Sequence, residues 1–425
     1  MNIVILHYKI SGNDGVSLEC ERWKEILEGM GHKVTFVAGQ LDRAGILIPE
    51  LHFQWPYVMD LHDKVVYGKG SYRQIESKIF DIAGTIEGKL RYFFNGGRKI
   101  DLLVVANALS LPMHFPLAVA LSRVIEELNL PTIARHHDFW WERGRYLKSR
   151  LFPFFERWFP PKLPTIKHVV INSLAQEELK RRTGIDAGVI WDSFNFENDK
   201  LRKIDAYSRH FRSDFGINDA DLVFLQATRI VPRKRVELAI EFMKKLGLRN
   251  SILVLAGHAG DEGKEYLHRI KKLARASKIR YKFIGNHVNS KRRVFYVSNG
   301  DGPKRKRIYT LWDCYRNCDF VIYPTKVEGF GNQFVESMYF KKPIIMTPYP
   351  VYKADIAPLG FKTILMSDKV TKGPVLETKK LIENEDEREK MVEYNFALGK
   401  ENFSYEKVEM KLRKIFKDMN LTKFA

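Results

Sequence analysis

The chain is poor in cysteine, in acidic residues relative to basic ones, and in long apolar runs. Its 425 residues hold three cysteines, Cys20, Cys314 and Cys318, an odd set without CxxC spacing. That excludes a disulfide framework and a structural zinc site, and fits a reduced compartment. Cys314 and Cys318, four apart, read as one buried helix face. No apolar run approaches the roughly 18 residues that crossing a bilayer requires. The start MNIVILHYKIS has neither the basic region nor the cleavage site of a signal peptide, so a cytoplasmic protein with no transmembrane segment is expected. Weak membrane-surface contact is open only to the aromatic, basic tract KSRLFPFFERWFPPK (148–162), which suits a buried amphipathic helix ended by Pro160 and Pro161 better. Acidic side chains number 51 against 71 Lys and Arg, a net charge of +20. This surplus points to anionic partners: phosphorylated metabolites, acidic membrane surfaces or nucleic acid.

What is present is a regular alternation. NIVILHY, HKVTFVA, DLLVVAN, PTIARHH and HVVIN read as strands, separated by the helical segments VSLECERWKEILEGMG, HFPLAVALSRVIEELN and SLAQEELKRRTG. The pattern restarts with DLVFLQAT, SILVLAGH, IRYKFIG, DFVIYPT and KPIIMTP, interleaved with VELAIEFMKKLG, KEYLHRIKKLARASK, IYTLWDCYRN and NQFVESMYF. Length and pattern together predict an α/β chain of two Rossmann-like domains facing across a cleft. The expected boundaries are 1–195 for the first domain, 196–400 for the second, and 401–425 for a C-terminal helix that packs back on the first. Residues 286–307 read as a basic, glycine-containing insertion, a mobile loop or small hairpin.

Ligands of such sheets sit beyond the carboxyl ends of the strands. Four turns there carry the candidate chemistry. In EGFGNQFVES (328–337), Glu328 on the loop and Glu336, expected two turns into the following helix, offer acceptors to a hydroxyl-rich ligand. In ATRIVPRKRVE (227–237), Arg229 and Lys234 outline a diphosphate clamp, with Arg233 and Arg235 expected in solvent. In SGNDGVSLE (11–19), Gly12 and Gly15 would let backbone amides approach a phosphate or sugar; the spacing is not GxGxxG, and Ala38 stands where a nicotinamide site needs an acid. In ARHHDFWWERGRY (134–146), His136, His137 and Asp138 could hold sugar hydroxyls, Trp140 and Trp141 could stack on a ring, and Arg143 or Arg145 could meet an anionic acceptor. Adjacent histidines rarely chelate one ion, so no metal site is expected.

These features resemble the retaining nucleotide-sugar glycosyltransferases of family 4, which have the GT-B fold and the signature E, seven residues, E. The resemblance extends over essentially the whole chain. It implies that Glu328 holds donor-sugar hydroxyls with the amides around Phe330, Gly331 and Asn332, and that Glu336 grips the ribose. Arg229 and Lys234 would neutralise the diphosphate, with Gly12 or Gly15 assisting. One of His136 and His137, with His137 favoured, would stand near the sugar 6-hydroxyl. Base recognition would fall near Gly285, Asn286 and His287. One departure is KKP, where Lys341 or Lys342 replaces the small residue common in the family. The pattern DGVSLE, LPMHFPLAVAL, RHHDFWWER and YPTKVEGFGNQFVES looks most like the branch of the mannosylglucosyl-3-phosphoglycerate synthases. It implies a hexosyltransferase with a nucleotide sugar as donor substrate and no tightly bound cofactor or metal. GDP-mannose is the best specific donor and glucosyl-3-phosphoglycerate the best small anionic acceptor, as in compatible-solute synthesis. A UDP- or ADP-glucose-dependent enzyme acting on a sugar, lipid or polysaccharide is the alternative. A nucleic-acid-binding protein is the alternative from another class, but no helix-turn-helix, zinc-finger or RNP signature supports it, so no nucleic acid partner is expected. Association as a homodimer stays open.

Overall fold

The computed structural model describes residues 1–12, 14–67, 71–97, 99–259, 264–299 and 302–421. It divides into two compact units, Met1–Trp191 with Tyr405–Ala425, and Asp192–Ser404.

The first unit carries a seven-stranded parallel sheet: β1 (Asn2–His7), β2 (Lys33–Ala38), β3 (Ile46–Leu47), β4 (Leu102–Ala106), β5 (Thr132–His136), β6 (Ile166–Val170) and β7 (Ala187–Val189), in the order β3-β2-β1-β4-β5-β6-β7. Its central strand β4, LLVVA, is apolar throughout because both faces are covered. Successive side chains point to opposite faces, so Val4, Leu6, Leu103 and Val105 enter one core while Ile3, Ile5, Leu102 and Val104 enter the other. The second core is closed by the helix Tyr405–Asp418, which contributes Val408, Leu412 and Phe416 at a spacing of four and thereby presents one apolar stripe. The tail expected as one helix is broken at Ser404, between helices Glu385–Phe403 and Tyr405–Asp418; its last residues, 422–425, lie outside the described residues.

The second unit carries β8 (Leu222–Gln226), β9 (Ser251–Leu255), β10 (Tyr281–Phe283), β11 (Arg293–Asn299), β12 (Gly302–Ile308), β13 (Phe320–Tyr323), β14 (Ile344–Met346) and β15 (Ile364–Leu365). Six of these form a second parallel sheet in the order β10-β9-β8-β13-β14-β15, so both sheets are Rossmann-like. Strands β11 and β12 form an antiparallel hairpin within the insertion expected at 286–307; its residues 300 and 301 lie outside the described residues. The Tyr207 hydroxyl anchors the hairpin base, sharing its one proton between the carbonyls of Arg293 (2.8 Å) and Ile308 (2.9 Å).

The junction falls at Trp191, slightly before the expected 195, because Phe194 and Phe196 pack on Tyr339 of the second unit. The tract 148–162 forms the helix Phe152–Trp158, whose Phe154, Phe155 and Trp158 are buried in the first core. That burial consumes the aromatic face a membrane contact would have used. Cys20, Cys314 and Cys318 are free and buried. Among the described residues, no helix is long and apolar enough to cross a membrane.

Candidate functional site

In each sheet the strand order reverses beside the unit's first strand, at β1/β4 and at β8/β13. Those switch points are where such sheets bind ligands; the candidate turns after β1, β8 and β13 lie there, and the fourth follows β5, beside β4.

In the second unit, β8 runs into the turn Pro232–Lys234, and β13 runs into the loop that carries Glu328. The Lys234 ammonium pairs with Glu328 Oε1, and each side chain is only 9% exposed. Thr325 Oγ1 donates to the same carboxylate oxygen at 2.7 Å, and Arg233 Nη1 donates to Oε2 at 3.2 Å and to the Val327 carbonyl at 3.0 Å. Arg233, expected in solvent, is thus a third basic group of the site. Arg235 departs further from that expectation: it donates to Pro324 O (2.8 Å) and Thr347 Oγ1 (2.7 Å) and pairs with Asp368, lacing the loops after β8, β13, β14 and β15 together. Arg229 is exposed and close enough to depress the Lys234 ammonium.

The electrostatics follow from one carboxylate facing several cations. Burial pulls Lys234 down to about 8; Glu328 opposes this, while Arg233 and Arg229 add to it. Burial alone would push Glu328 up, but Lys234, Arg233 and the hydrogen bonds from Lys234 and Thr325 hold it below the usual carboxylate range. The pair is therefore ionised near neutrality, with positive charge in surplus.

The loop then reaches Gly331, at φ +119, and the helix Asn332–Tyr339 begins without a side-chain cap. Glu336 is the fifth residue of that helix, one turn in rather than two, because the helix starts only at Asn332. It is buried and accepts a 2.8 Å bond from the Tyr315 hydroxyl. Phe330 is buried against Phe403, and its carbonyl accepts from the Tyr349 hydroxyl at 2.7 Å; Asn332 is half-buried. Nearby, Gly257 and Gly285 follow β9 and β10. A Cβ on Gly257 would overlap the Thr228 carbonyl and lie 2.9 Å from Arg229 Cα, and one on Gly285 would meet the Gly257 carbonyl at 2.5 Å. Three strand-end turns are thus stacked backbone on backbone beside Arg229, with Asn286 exposed at the end of the stack.

In the first unit, Gly12 (φ +72) follows β1, but its N–H donates to Asp42 Oδ2 at 2.8 Å. The amide expected to meet an anion faces a carboxylate. Gly15 opens the helix Gly15–Gly29, capped by Asp14 through Ser17 N at 3.1 Å. Beyond β5, His136 Nε2 lies 2.9 Å from His168 Nδ1, and burial, then His168, keeps His136 well below the usual histidine range. His137 is half-buried, and its Nε2 is enclosed without a hydrogen-bond partner. Burial first, then Arg135 and His7, depress its titration strongly, so it is neutral. Asp138 accepts from Arg143 Nη2 at 2.8 Å. Trp140 and Trp141 are 2% and 7% exposed and packed in the first core, so neither can stack on a sugar; their charged neighbours in sequence concealed an ordinary core pair.

Sequence reading missed Asn107. It follows β4 in a left-handed conformation (φ +58) that asparagine tolerates, and its Oδ1 accepts from His137 N (3.1 Å), Asp138 N (3.0 Å) and Ser110 Oγ (3.3 Å). One carbonyl therefore shapes the loop bearing His137. Asn107→Leu, which leaves those amides unpaired, should cost about 2 kcal/mol and lower activity; Asn107→Asp, which keeps the acceptor oxygens, should recover most of both. Denaturant unfolding and initial rates check this.

Residues 306–397, which include Glu328 and Glu336, match the family model described as glycosyl transferases group 1. The chain is 35% identical over 402 residues to the mannosylglucosylglycerate synthase of Petrotoga mobilis, covering 87% of each protein. It is 33% identical to that of Thermotoga maritima, covering 96% of this chain and 98% of the relative. A glycosyltransferase from Rickettsia africae, 14% identical, shares the fold with a TM-score of 0.65 over 98% of each chain. With a parallel Rossmann-like sheet in each unit and these relatives along most of its length, the chain belongs to the glycosyltransferase family of the mannosylglucosylglycerate synthases and is a hexosyltransferase.

Proposed function

We propose that this hexosyltransferase moves a mannosyl group from GDP-mannose to glucosylglycerate with retention at the anomeric carbon. The observation that carries the reading is the Arg233–Lys234–Glu328 cluster with Arg229 beside it. Its surplus positive charge at the β8/β13 switch point suits a diphosphate, and its carboxylate suits sugar hydroxyls. The two relatives, as mannosylglucosylglycerate synthases, are named for a product of mannose, glucose and glycerate with no phosphate. They favour glucosylglycerate over the phosphorylated acceptor expected from the sequence.

In the reaction so read, the bond from the anomeric carbon to the diphosphate oxygen breaks, and a bond from that carbon to the acceptor oxygen forms on the same face. The acceptor proton passes to the departing phosphate. Positive charge grows on the sugar and negative charge on the diphosphate, and Arg229 and Lys234 act where the latter develops. Glu336 would hold the ribose, and His137, neutral and half-buried, a sugar hydroxyl. Because side-chain cations carry this charge, transfer is expected to run without an added metal and to persist in a chelator.

Wild-type protein with GDP-mannose, UDP-glucose or ADP-glucose, each offered glucosylglycerate and glucosyl-3-phosphoglycerate, provides the test. Nucleoside diphosphate release should be fastest with GDP-mannose and glucosylglycerate, and the anomeric coupling of the product should match the donor. Faster release with a glucose donor would replace the donor reading, preference for the phosphorylated acceptor would replace the acceptor reading, and an inverted product would overturn retention.

A further inference from the structure

We infer that His7 and Lys9, at the carboxyl end of β1, form an acceptor subsite in which His7 Nε2 accepts a hydrogen bond from a sugar hydroxyl and Lys9 receives a carboxylate. This inference rests on the proposed transfer to a glycerate-bearing sugar. His7 lies at the first unit's switch point, 7% exposed. Its Nδ1 is 2.7 Å from the Ala106 carbonyl. A carbonyl can only accept, so Nδ1 carries the proton and Nε2 keeps its lone pair. No hydrogen bond from the described residues is made to that nitrogen. A neutral imidazole with one nitrogen anchored and the other open is an acceptor looking for a hydroxyl.

Its surroundings keep it in that form. Burial holds His7 down at about 4, with Asp14 opposing and Lys9 and His52 contributing. His52 is likewise lowered, by burial and then by Lys9, and its Nε2 is enclosed without a partner. The segment bearing His52 is pressed onto the end of β2, where a Cβ on Gly39 would lie 2.6 Å from His52 Cβ. His137 also senses His7. Three neutral imidazoles thus surround the end of β1 and can take hydroxyls without adding positive charge. Lys9 supplies that charge: it is 35% exposed, influences both His7 and His52, and has only a loose pairing with Asp14 at 3.9 Å. Such a weak surface pair is readily exchanged for a ligand anion.

Two acceptors separate the two roles: glucosylglycerate, which has the carboxylate, and glucosylglycerol, which lacks it. Binding to the full chain with GDP present is measured by calorimetry alongside steady-state rates. His7→Asn keeps a donor for the Ala106 carbonyl but cannot reach as far as Nε2. It should weaken both acceptors by about tenfold, whereas Lys9→Ala should weaken glucosylglycerate by about tenfold or more and leave glucosylglycerol unchanged. GDP affinity should stay within about twofold in both variants, a control that a misfolded protein would fail. Unchanged acceptor affinities in the variants, or no acceptor binding by wild type, would overturn the subsite. Acceptor binding that responds to the variants without mannosyl transfer would overturn the proposed function and leave the subsite standing.

Discussion

Lys234→Ala should slow sugar transfer by about 10²- to 10³-fold at saturating donor, the loss typical of removing one preorganised group from a charged transition state. The side chain is enclosed and ion-paired with Glu328, so its position does not have to be organised during the reaction. In the proposed reaction, removing it takes one positive charge from beside the departing diphosphate, and Arg233, 39% exposed, is too well solvated to replace it. Glu328 keeps Arg233 and Thr325 as partners, so the variant should still fold. Initial rates at saturating GDP-mannose decide the matter: a fall of less than about tenfold would mean that Lys234 does not act on the leaving group.

The same lysine sets an upper limb in pH. With Lys234 drawn down to about 8 by burial, the free enzyme loses its ammonium as pH rises through that value, so kcat/KM should decline above it. The depressed Glu328 is already ionised at pH 7, and no acidic limb should appear there. A bound diphosphate favours the ammonium, so the corresponding limb in kcat should lie at higher pH than in kcat/KM. A kcat/KM profile still flat at pH 9 would show that Lys234 is not needed as a cation.

Legibility in the sequence followed locality. Ten strands of the two parallel sheets stood out because each lies in a short segment rich in β-branched, aliphatic or aromatic residues, and the three-residue β10 and β14 were carried by the apolar residues that flank them; β11 and β12, the longest, lie in a basic segment that hides them. β3, β7 and β15 are two or three residues long, too short for any period to show. The helix Tyr72–Asn95 passed unread although Ser71 caps it and Ile75, Ile79, Ile86, Leu90 and Phe94 are buried along it at helical spacing; its apolar residues are diluted among polar ones. Glu328, Lys234 and Arg229 could be singled out as candidates because each lies in a turn whose chemistry is written within ten residues, and the fold brings the three together. Asn107, His7 and Gly257 could not, since their roles depend on neighbours distant in sequence: Asn107 on the loop after β5, His7 on β4, Gly257 on the turn after β8. Arg235 misled because its partners, Thr347 and Asp368, are more than a hundred residues away.

Gly257→Ala should be the most damaging single methyl group in the second unit. The added Cβ would overlap the Thr228 carbonyl and crowd Arg229 Cα, and both obstacles are backbone, so no rotamer change relieves them. One strand end must move away from the other, at a cost of about 3 kcal/mol, the upper end of ordinary overpacking. Movement at Thr228 carries Arg229 with it, so GDP affinity should fall by about tenfold or more even at temperatures where the protein remains folded. Gly84→Ala is the matched control: it lies inside the helix Tyr72–Asn95, and nothing is within 4 Å of its added Cβ. There the methyl group removes glycine's backbone freedom without a clash, which should stabilise the protein by about 0.5–1 kcal/mol. Denaturant unfolding and GDP titration of the two variants check the pair. If Gly257→Ala binds GDP as the wild type does, the stacking of the β8 and β9 turns does not hold Arg229 in place, and the diphosphate clamp must owe its geometry to Arg233, Lys234 and Glu328 alone.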